Sequence, residues 1–197
     1  STDAAAVLKG LNILFDTGLT LEQLKLLGSK IGSDVPFCIQ GGTAFATGRG
    51  DSLRQLPDIQ KTHLVLVTPP VEVGTPEIYA QYDQEQPELC IPTQQLLKII
   101  NNKEKTDWSA DWGNVLEPVT EKMVSEVKEI KNILSKFSTR HILMSGSGPS
   151  VYAVVKNKER AEHIINNWPR TGDFTGYCYT LKKDYNCLTW GGILDES

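Results

Sequence analysis

The sequence predicts an α+β protein in which an antiparallel sheet carries helices on one face. Two strand–helix–strand patterns, placed around a pair of helical segments, are the first observation behind this prediction. The second is the length of the apolar runs: 63–67 and 151–155 have the length of strands, whereas 118–137 repeats its apolar residues at helical spacing. Glycine and proline turns separate these runs, as they separate short elements in a mixed fold.

Composition and charge narrow the function classes. The chain has 197 residues, 40% of them hydrophobic and 22% charged, which suits one large or two small globular domains. Its net charge of -4 gives no indication of a nucleic-acid or anionic-membrane partner, and no apolar run approaches the roughly 20 residues that span a bilayer. Its four cysteines form no C-x-x-C pair, so reduced cytosolic thiols are expected rather than a zinc site: Cys38, Cys90, Cys178 and Cys187.

The first 57 residues are predicted to form two helices and two short strands. Apolar residues recur at i, i+3, i+4 and i+7 over 4–15, and Thr20 to Gln23 reads as a capping box that opens a second helix to about Ile31. Residues 35–39 are predicted to be a strand, with Pro36 arguing for an edge or an irregular start. After Gly41 and Gly42, a second short strand is predicted over 43–47.

A domain boundary is predicted near 56–58, with a new α+β pattern beyond it. In this second part, strands are expected at 63–67, 141–144, 151–155 and 177–181. Helices are expected around 78–82, after Thr93, over 118–137 and over 161–168. Because the chain starts on a helix-cap sequence without an initiator Met, we expect the protein to extend upstream.

Three segments are candidates for chemistry. Ser1-Thr2-Asp3 opens a helix, where free N–H groups attract anions, although plain N-capping is the commoner role. Asp34 lies in the Gly-Ser-Asp-Val-Pro segment, where a rigidly held carboxylate can act as a base, or can simply cap its own turn. The segment 144–150 alternates serine and glycine, and it suits close approach to a ligand about as well as a hairpin turn.

Taken in this order, the segments resemble the superfamily of galactokinase, homoserine kinase, mevalonate kinase and phosphomevalonate kinase, abbreviated GHMP. Ser1 to Ala5 is similar to the end of that superfamily's phosphate loop, and Ser145 to Ser150 is similar to its C-terminal glycine motif. The resemblance implies a two-domain GHMP-kinase-like architecture. Residues 1–57 would be the C-terminal remnant of the ATP-binding domain, and 58–197 the GHMP C-terminal substrate domain.

Within the superfamily, the sequence resembles the 4-diphosphocytidyl-2-C-methyl-D-erythritol kinase family of non-mevalonate isoprenoid biosynthesis. The resemblance rests on Gly-Ser-Asp-Val-Pro-Phe, Thr-Gly-Arg-Gly and three further segments: 73–79, 114–118 and Trp190-Gly191. It implies Asp34 as the catalytic base and Ser1, Thr2 and Asp3 as nucleotide-binding residues. It also implies substrate contacts from five residues, in which Tyr79 stacks on cytosine: Thr75, Tyr79, Gly146, Ser147 and Gly148.

The resemblance further implies ATP with Mg²⁺, and cytidine diphosphate methylerythritol as the small-molecule substrate. No resident metal site, nucleic-acid partner or membrane partner is expected, and a homodimer is left open. The expected location is the cytoplasm, or the plastid stroma in a plastid-bearing organism. Since the N-terminal segment of the family is missing from this sequence, we expect the chain alone to be inactive. Two alternatives stay open: another GHMP kinase for homoserine or mevalonate, or an inactive fragment that serves only as a binding module.

Overall fold

A computed structural model describes residues 1–88, 91–102 and 112–183. The chain divides into two compact units. The first is Ser1–Ile59 together with the chain from Leu181, and the second is Gln60–Thr180. Within the described residues, no helix is long and apolar enough to cross a membrane. Trp190-Gly191, Cys90 and Cys187 lie outside the described residues.

The described residues of the first unit form three helices and a hairpin. These are α1 (Thr2–Leu14), α2 (Leu21–Ser29), α3 (Val35–Gln40), β1 (Ala44–Thr47) and β2 (Ser52–Gln55). The predicted capping box begins α2: Thr20 Oγ1 accepts from Gln23 N at 3.3 Å, and Gln23 Oε1 accepts from Thr20 N at 2.8 Å. The three helices share a small core of four buried residues: Ala5, Leu24, Val35 and Ile39.

The predicted strand at 35–39 is wrong, because these residues form α3. A five-residue apolar run does not distinguish a strand from one helical turn and a half. Pro36 stands in the first turn of α3, where a helix tolerates proline because its missing N–H would be unpaired there anyway. Val35 and Ile39, four residues apart, then point together into the core of the first unit. The strand predicted at 43–47 is present as β1, and it pairs with β2.

The second unit contains five helices and four strands among its described residues. The helices are α4 (Thr75–Glu85), α5 (Thr93–Asn101), α6 (Glu117–Met123), α7 (Ser125–Lys136) and α8 (Lys158–Asn166). The strands are β3 (His63–Thr68), β4 (Arg140–Met144), β5 (Val151–Val155) and β6 (Phe174–Tyr179).

The four strands form one antiparallel sheet in the order β4-β5-β3-β6. Val65 lies opposite Ala153, and Val67 lies opposite Val151, so one face of the sheet presents a continuous apolar surface. Helices α6, α7 and α8 cover this face with side chains that are fully buried, among them Val119, Ile130 and Ile164. The predicted α+β class, with an antiparallel sheet covered by helices on one face, is confirmed.

The single helix predicted over 118–137 is present as two helices. Val124 adopts an extended conformation, with φ -133° and ψ 93°, between α6 and α7. Val127, Ile130 and Leu134 keep the predicted spacing and are buried, whereas Met123, at the break, is half exposed. The break therefore moves one predicted core residue towards solvent and leaves the core face of α7 intact.

Candidate functional site

In the first unit, Asp34 stands at the N-terminus of α3. Its side chain caps no backbone group, and no described residue makes a hydrogen bond or ion pair with its carboxylate. The side chain is exposed. A β-carbon on Gly50 would lie 3.6 Å from Asp34 Oδ1, so the Thr-Gly-Arg-Gly turn approaches this carboxylate. The capping role that the sequence left open for Asp34 is absent, and its carboxylate is available to a ligand.

The first turn of α1 holds Ser1, Thr2 and Asp3. Ser1 is the N-cap residue but makes no side-chain capping bond, and all three residues are exposed. Thr2 Oγ1 lies 3.7 Å from Cys38 Sγ of α3, because α1 and α3 pack together through the small core. The N–H groups of this turn are therefore not occupied by a side-chain cap.

In the second unit, the segment Ser145–Ser150 connects β4 to β5 and is called here the glycine loop. Ser145 N donates to Ser150 O at 2.8 Å, and Gly148 N donates to Ser145 O at 2.9 Å, so the backbone closes on itself. Gly148 has φ +88°, and a β-carbon there would lie 2.7 Å from Met144 Sδ. A side chain at Gly148 would be strained by this φ and would displace Met144, whereas Gly146, with no atom within 4 Å of its missing β-carbon, faces open space.

Two side chains from neighbouring elements hold the glycine loop. Asn114 Nδ2 donates to Met144 O at 3.0 Å and to Gly146 O at 2.6 Å. Thr120 Oγ1 donates to Ser147 O at 3.1 Å from a fully buried residue of α6. Because the carbonyl groups of Gly146 and Ser147 and that of Met144, just before the loop, are paired, the loop is preorganised.

An ionic cluster supports the start of this loop. Glu117 Oε2 accepts from Met144 N at 2.7 Å, and Lys131 of α7 contacts both Glu117 and Glu121. Burial lowers the pKa of Lys131, but the hydrogen bonds that its ammonium donates to the two carboxylates outweigh burial and leave that pKa raised. Burial and the Glu117 charge together raise the pKa of Tyr152. The cluster fixes α6, α7 and the end of β4 to each other.

Thr75 and Tyr79 lie near the glycine loop. Thr75 Oγ1 is 2.9 Å from Ser147 Oγ, which joins the N-terminus of α4 to the loop. Tyr79 follows one turn later on α4 and is 53% exposed. It lines a cavity of about 620 Å³ together with Tyr82, Asn114, Gly146 and Tyr152. An exposed aromatic ring that lines a cavity is suited to stacking on a planar ligand.

The second unit thus brings together four of the five residues expected to contact substrate: Thr75, Tyr79, Gly146 and Ser147. Gly148 shapes the loop from behind, against Met144 and Thr120. Sequence reasoning gave no role to Asn114, Thr120 or Lys131. Asn114 belongs to the segment 114–118 that carries the family resemblance. An Asn three residues ahead of a Glu-Pro helix start is typical of an Asx turn, and Asn114 Oδ1 accepts from Leu116 N at 3.0 Å.

Comparisons with known proteins agree with this architecture. The family model GHMP kinases C terminal matches residues 96–173. The 4-diphosphocytidyl-2-C-methyl-D-erythritol kinase of Listeria welshimeri is 43% identical over 197 residues, which is all of this chain and 64% of the relative. That of Listeria monocytogenes is 43% identical over 166 residues, 84% of this chain and 56% of the relative. The chain therefore spans between about half and two thirds of the length of these relatives.

Solved structures give the same assignment. A 4-(cytidine 5'-diphospho)-2C-methyl-D-erythritol kinase superposes with a TM-score of 0.70 at 26% identity, covering 91% of this chain and 64% of the other. The homoserine kinase of Cytophaga hutchinsonii has a TM-score of 0.63 at 15% identity, covering 87% and 61%. At that identity the likeness concerns the fold alone. Residues 96–173 are thus a GHMP kinases C-terminal domain, and the chain is a homologue of the bacterial 4-diphosphocytidyl-2-C-methyl-D-erythritol kinases.

Proposed function

We propose that this protein takes part in the ATP-dependent phosphorylation of the 2-hydroxyl of 4-diphosphocytidyl-2-C-methyl-D-erythritol, in non-mevalonate isoprenoid precursor synthesis. The observation that carries the proposal is the 43% identity, over all 197 residues, to a kinase of that name. The unpaired Asp34 carboxylate and the preorganised glycine loop support it. Residues 1–57 are proposed to belong to the ATP-binding domain, and 58–197 to form the substrate domain.

Asp34 is proposed as the general base. Its carboxylate accepts the proton of the substrate hydroxyl as that oxygen attacks the terminal phosphate. A carboxylate committed to capping α3 would be less able to do so, and Asp34 makes no such bond. Pro36 and the buried Val35 hold the backbone next to it in one conformation, which fixes the position of the base.

The nucleotide is proposed to bind at the first turn of α1. Its uncapped N–H groups and the exposed hydroxyls of Ser1 and Thr2 fit phosphate oxygens, and Asp3 lies beside them. Bound ATP supplies the transferable phosphoryl group and brings Mg²⁺ with it. A cytoplasmic location, or a plastid one in a plastid-bearing organism, fits this substrate and the bacterial relatives.

The substrate is proposed to contact the second unit. Tyr79 stacks on the cytosine ring in the cavity that it lines. Thr75 and the loop residues Gly146 and Ser147 contact the part of the substrate that receives the phosphoryl group, and Gly148 shapes the loop behind them. Thr75 and Ser147 already share a hydrogen bond, so one of the two hydroxyls can donate to an anionic oxygen without breaking their contact.

Replacing Asp34 tests the base. In an active form of the protein, Asp34→Asn is expected to lower kcat by roughly 10²–10⁴-fold and to leave nucleotide binding nearly unchanged. Asp16→Asn, an exposed aspartate in the turn after α1, serves as the matched control and is expected to keep full activity. Turnover of Asp34→Asn within a few-fold of the parent removes Asp34 from the mechanism.

Replacing Tyr79 tests the substrate. Tyr79→Ala is expected to raise KM for the cytidylyl substrate by roughly tenfold or more, whereas Tyr79→Phe keeps the ring and is expected to be mild. An equal rise in KM for both variants would mean that Tyr79 contributes to substrate binding through its hydroxyl and not through ring stacking.

The alternatives have their own tests. A substrate panel that includes homoserine and mevalonate separates the other GHMP kinases. An ATP titration of this chain separates a nucleotide-binding protein from a fragment that serves only as a binding module. The mass of the chain in solution decides whether the chain forms a homodimer.

A further inference from the structure

The segment 114–120, which leads into α6, holds the backbone of the glycine loop through its side chains. Its hydrogen bonds reach the N–H and the carbonyl of Met144 and the carbonyls of Gly146 and Ser147. One short stretch of chain therefore fixes the loop at several successive points. The side chains that make these bonds are Asn114, Glu117 and Thr120.

The backbone on either side of Ser147 has little stiffness of its own. Gly146 and Gly148 flank this residue with φ +57° and +88°. A β-carbon on Gly146 would have no atom within 4 Å, so no side chain packs against the backbone at that point. Glycine loses more conformational freedom on ordering than any other residue. The direction of the Ser147 side chain therefore depends on contacts from outside the loop.

Two of the hydrogen bonds fix the peptide groups before and after Ser147. The Gly146 carbonyl belongs to the peptide group before it and accepts from Asn114 Nδ2 at 2.6 Å. The Ser147 carbonyl belongs to the peptide group after it and accepts from Thr120 Oγ1 at 3.1 Å. Because peptide groups are planar, fixing both planes also fixes the direction of the Cα–Cβ bond between them. The Ser147 hydroxyl then lies 2.9 Å from Thr75 Oγ1.

The side-chain amide of Asn114 is fully committed to this arrangement. An amide has two N–H donors, and its Nδ2 donates to Met144 O at 3.0 Å and to Gly146 O at 2.6 Å. Its Oδ1 accepts from Leu116 N at 3.0 Å, which holds the side chain in its own turn. Asn114 lines the 620 Å³ cavity, but it cannot donate to a ligand there without releasing a loop carbonyl.

We propose that Asn114 is a positioning residue for the phosphoryl transfer and directs the Ser147 hydroxyl towards the substrate through the Gly146 carbonyl. The inference rests on the proposed function, in which Ser147 contacts the substrate. A misdirected hydroxyl loses its hydrogen bond to the substrate and leaves the reacting group less well aligned, which lowers the rate of transfer. Thr120 holds the other side of Ser147 in the same way.

Hydrogen exchange of the chain tests the effect on the loop without any activity measurement. Asn114→Asp keeps the oxygen that Leu116 N needs and replaces the amide donors by a carboxylate oxygen, which repels the loop carbonyls. We expect the amides of Ser145 and Gly148, which are bonded within the loop, to exchange at least about tenfold faster. Asn132→Asp, on an exposed position of α7, makes the same charge change and should leave them unchanged. Unaltered loop exchange in Asn114→Asp would contradict the proposal.

A double-mutant cycle in an active form of the protein tests whether Asn114 acts through Ser147. Asn114→Asp and Ser147→Ala are each expected to lower kcat/KM for the cytidylyl substrate by about tenfold or more and to leave KM for ATP unchanged. In the Ser147→Ala background, Asn114→Asp should cost less than about twofold, because the hydroxyl that it directs is already absent. If the two effects multiply in full, Asn114 does not act through Ser147 and the proposal is wrong.

Thr120→Val is the second variant, because it removes a loop bond without adding a charge. Thr120 is fully buried, and valine has nearly the same shape. Its loop exchange and kcat/KM should change in the same direction as those of Asn114→Asp. If only Asn114→Asp has an effect, the added charge explains the loss and the proposal is overturned. Should the parent not phosphorylate the cytidylyl substrate, the proposed function fails, and the exchange rates alone decide whether Asn114 holds the loop.

Discussion

The two units of this chain use their apolar residues differently. Among the described residues, the second unit buries fourteen core residues on one face of its sheet, and the first buries four among its helices. Of the large apolar side chains that the structure describes as exposed, eleven belong to the first unit and three to the second. In α1, Val7, Leu11 and Leu14 are 56%, 45% and 73% exposed, although they follow the amphipathic pattern of a core-facing helix.

This difference shows what an amphipathic pattern establishes. The pattern predicts a helix, and α1 is one, but it does not say how much of the apolar stripe the same chain will cover. In α7 the stripe is covered by the sheet, and Val127, Ile130 and Leu134 are fully buried. We therefore expect the second unit to supply most of the free energy of unfolding and the first to open locally and to self-associate.

The largest expected effect comes from a matched pair of leucine truncations. Leu134→Ala removes a side chain that is 0% exposed and should lower the free energy of unfolding by roughly 2–5 kcal/mol. Leu14→Ala removes one that is 73% exposed and should change it by less than about 0.5 kcal/mol. Urea denaturation followed by circular dichroism measures both, and similar losses would mean that the first unit is as well packed as the second.

A glycine pair tests the small core of the first unit. A β-carbon on Gly28 of α2 would lie 2.8 Å from Ile39 Cδ1 and from Val35 Cγ1, so Gly28→Ala should destabilise by about 1 kcal/mol. A β-carbon on Gly10 of α1 would have no atom within 4 Å. Gly10→Ala should stabilise by about 0.5–1 kcal/mol, because alanine is the better helix former.

Thermal denaturation of the intact chain measures the change in stability of both glycine variants. If Gly28→Ala also stabilises the protein, α2 and α3 are not held at the distance that their contacts indicate. The four-residue core would then be loosely packed.

The smallest effect concerns pH. Hydrogen bonds to Glu117 and Glu121 outweigh burial and raise the pKa of Lys131, so its protonated form is favoured by folding. The stabilisation is fully present below the ordinary lysine pKa of 10.5 and is lost as the pH rises through the raised value. Lys131→Met should therefore cost about 1 kcal/mol at pH 7, and this difference from the parent should shrink above about pH 10.5.

The control for this pH effect is Lys158→Met, which removes an i,i+4 ion pair with the exposed Glu162 on α8. It should show a smaller difference over the same range. A difference for Lys131→Met that persists unchanged at high pH would assign its effect to packing instead of charge.

Most of the second unit could be predicted from the sequence, because local signals and tertiary packing agree there. The strands at 63–67 and 151–155 are present as expected. In the first unit, the capping box at Thr20 is present as well. The secondary-structure predictions that were wrong concern segments where local sequence signals are weak. Residues 35–39 are too few for periodicity to decide between helix and strand, and no glycine or proline marks the break at Val124.

The residue types of the candidate site were predictable from the sequence, but the contacts that hold the glycine loop in place were not. From sequence alone, the glycines in a Ser-Gly-Ser-Gly segment suit a ligand loop about as well as a hairpin turn. That Asn114 would donate to the loop carbonyls depends on a contact across 30 residues, which no local pattern encodes. The same applies to Lys131, whose two carboxylate partners lie 14 and 10 residues away, on the neighbouring helix.

Hydrogen exchange of the intact chain tests the difference between the two units most directly, because it reports opening region by region. We expect the amides of residues 7–15 in and after α1 to exchange through local opening, at a free energy well below that of residues 123–137. The amides of α7 should exchange only with global unfolding. Equal protection of the two segments in a monomeric chain would contradict the account and would make the first unit a self-sufficient fold.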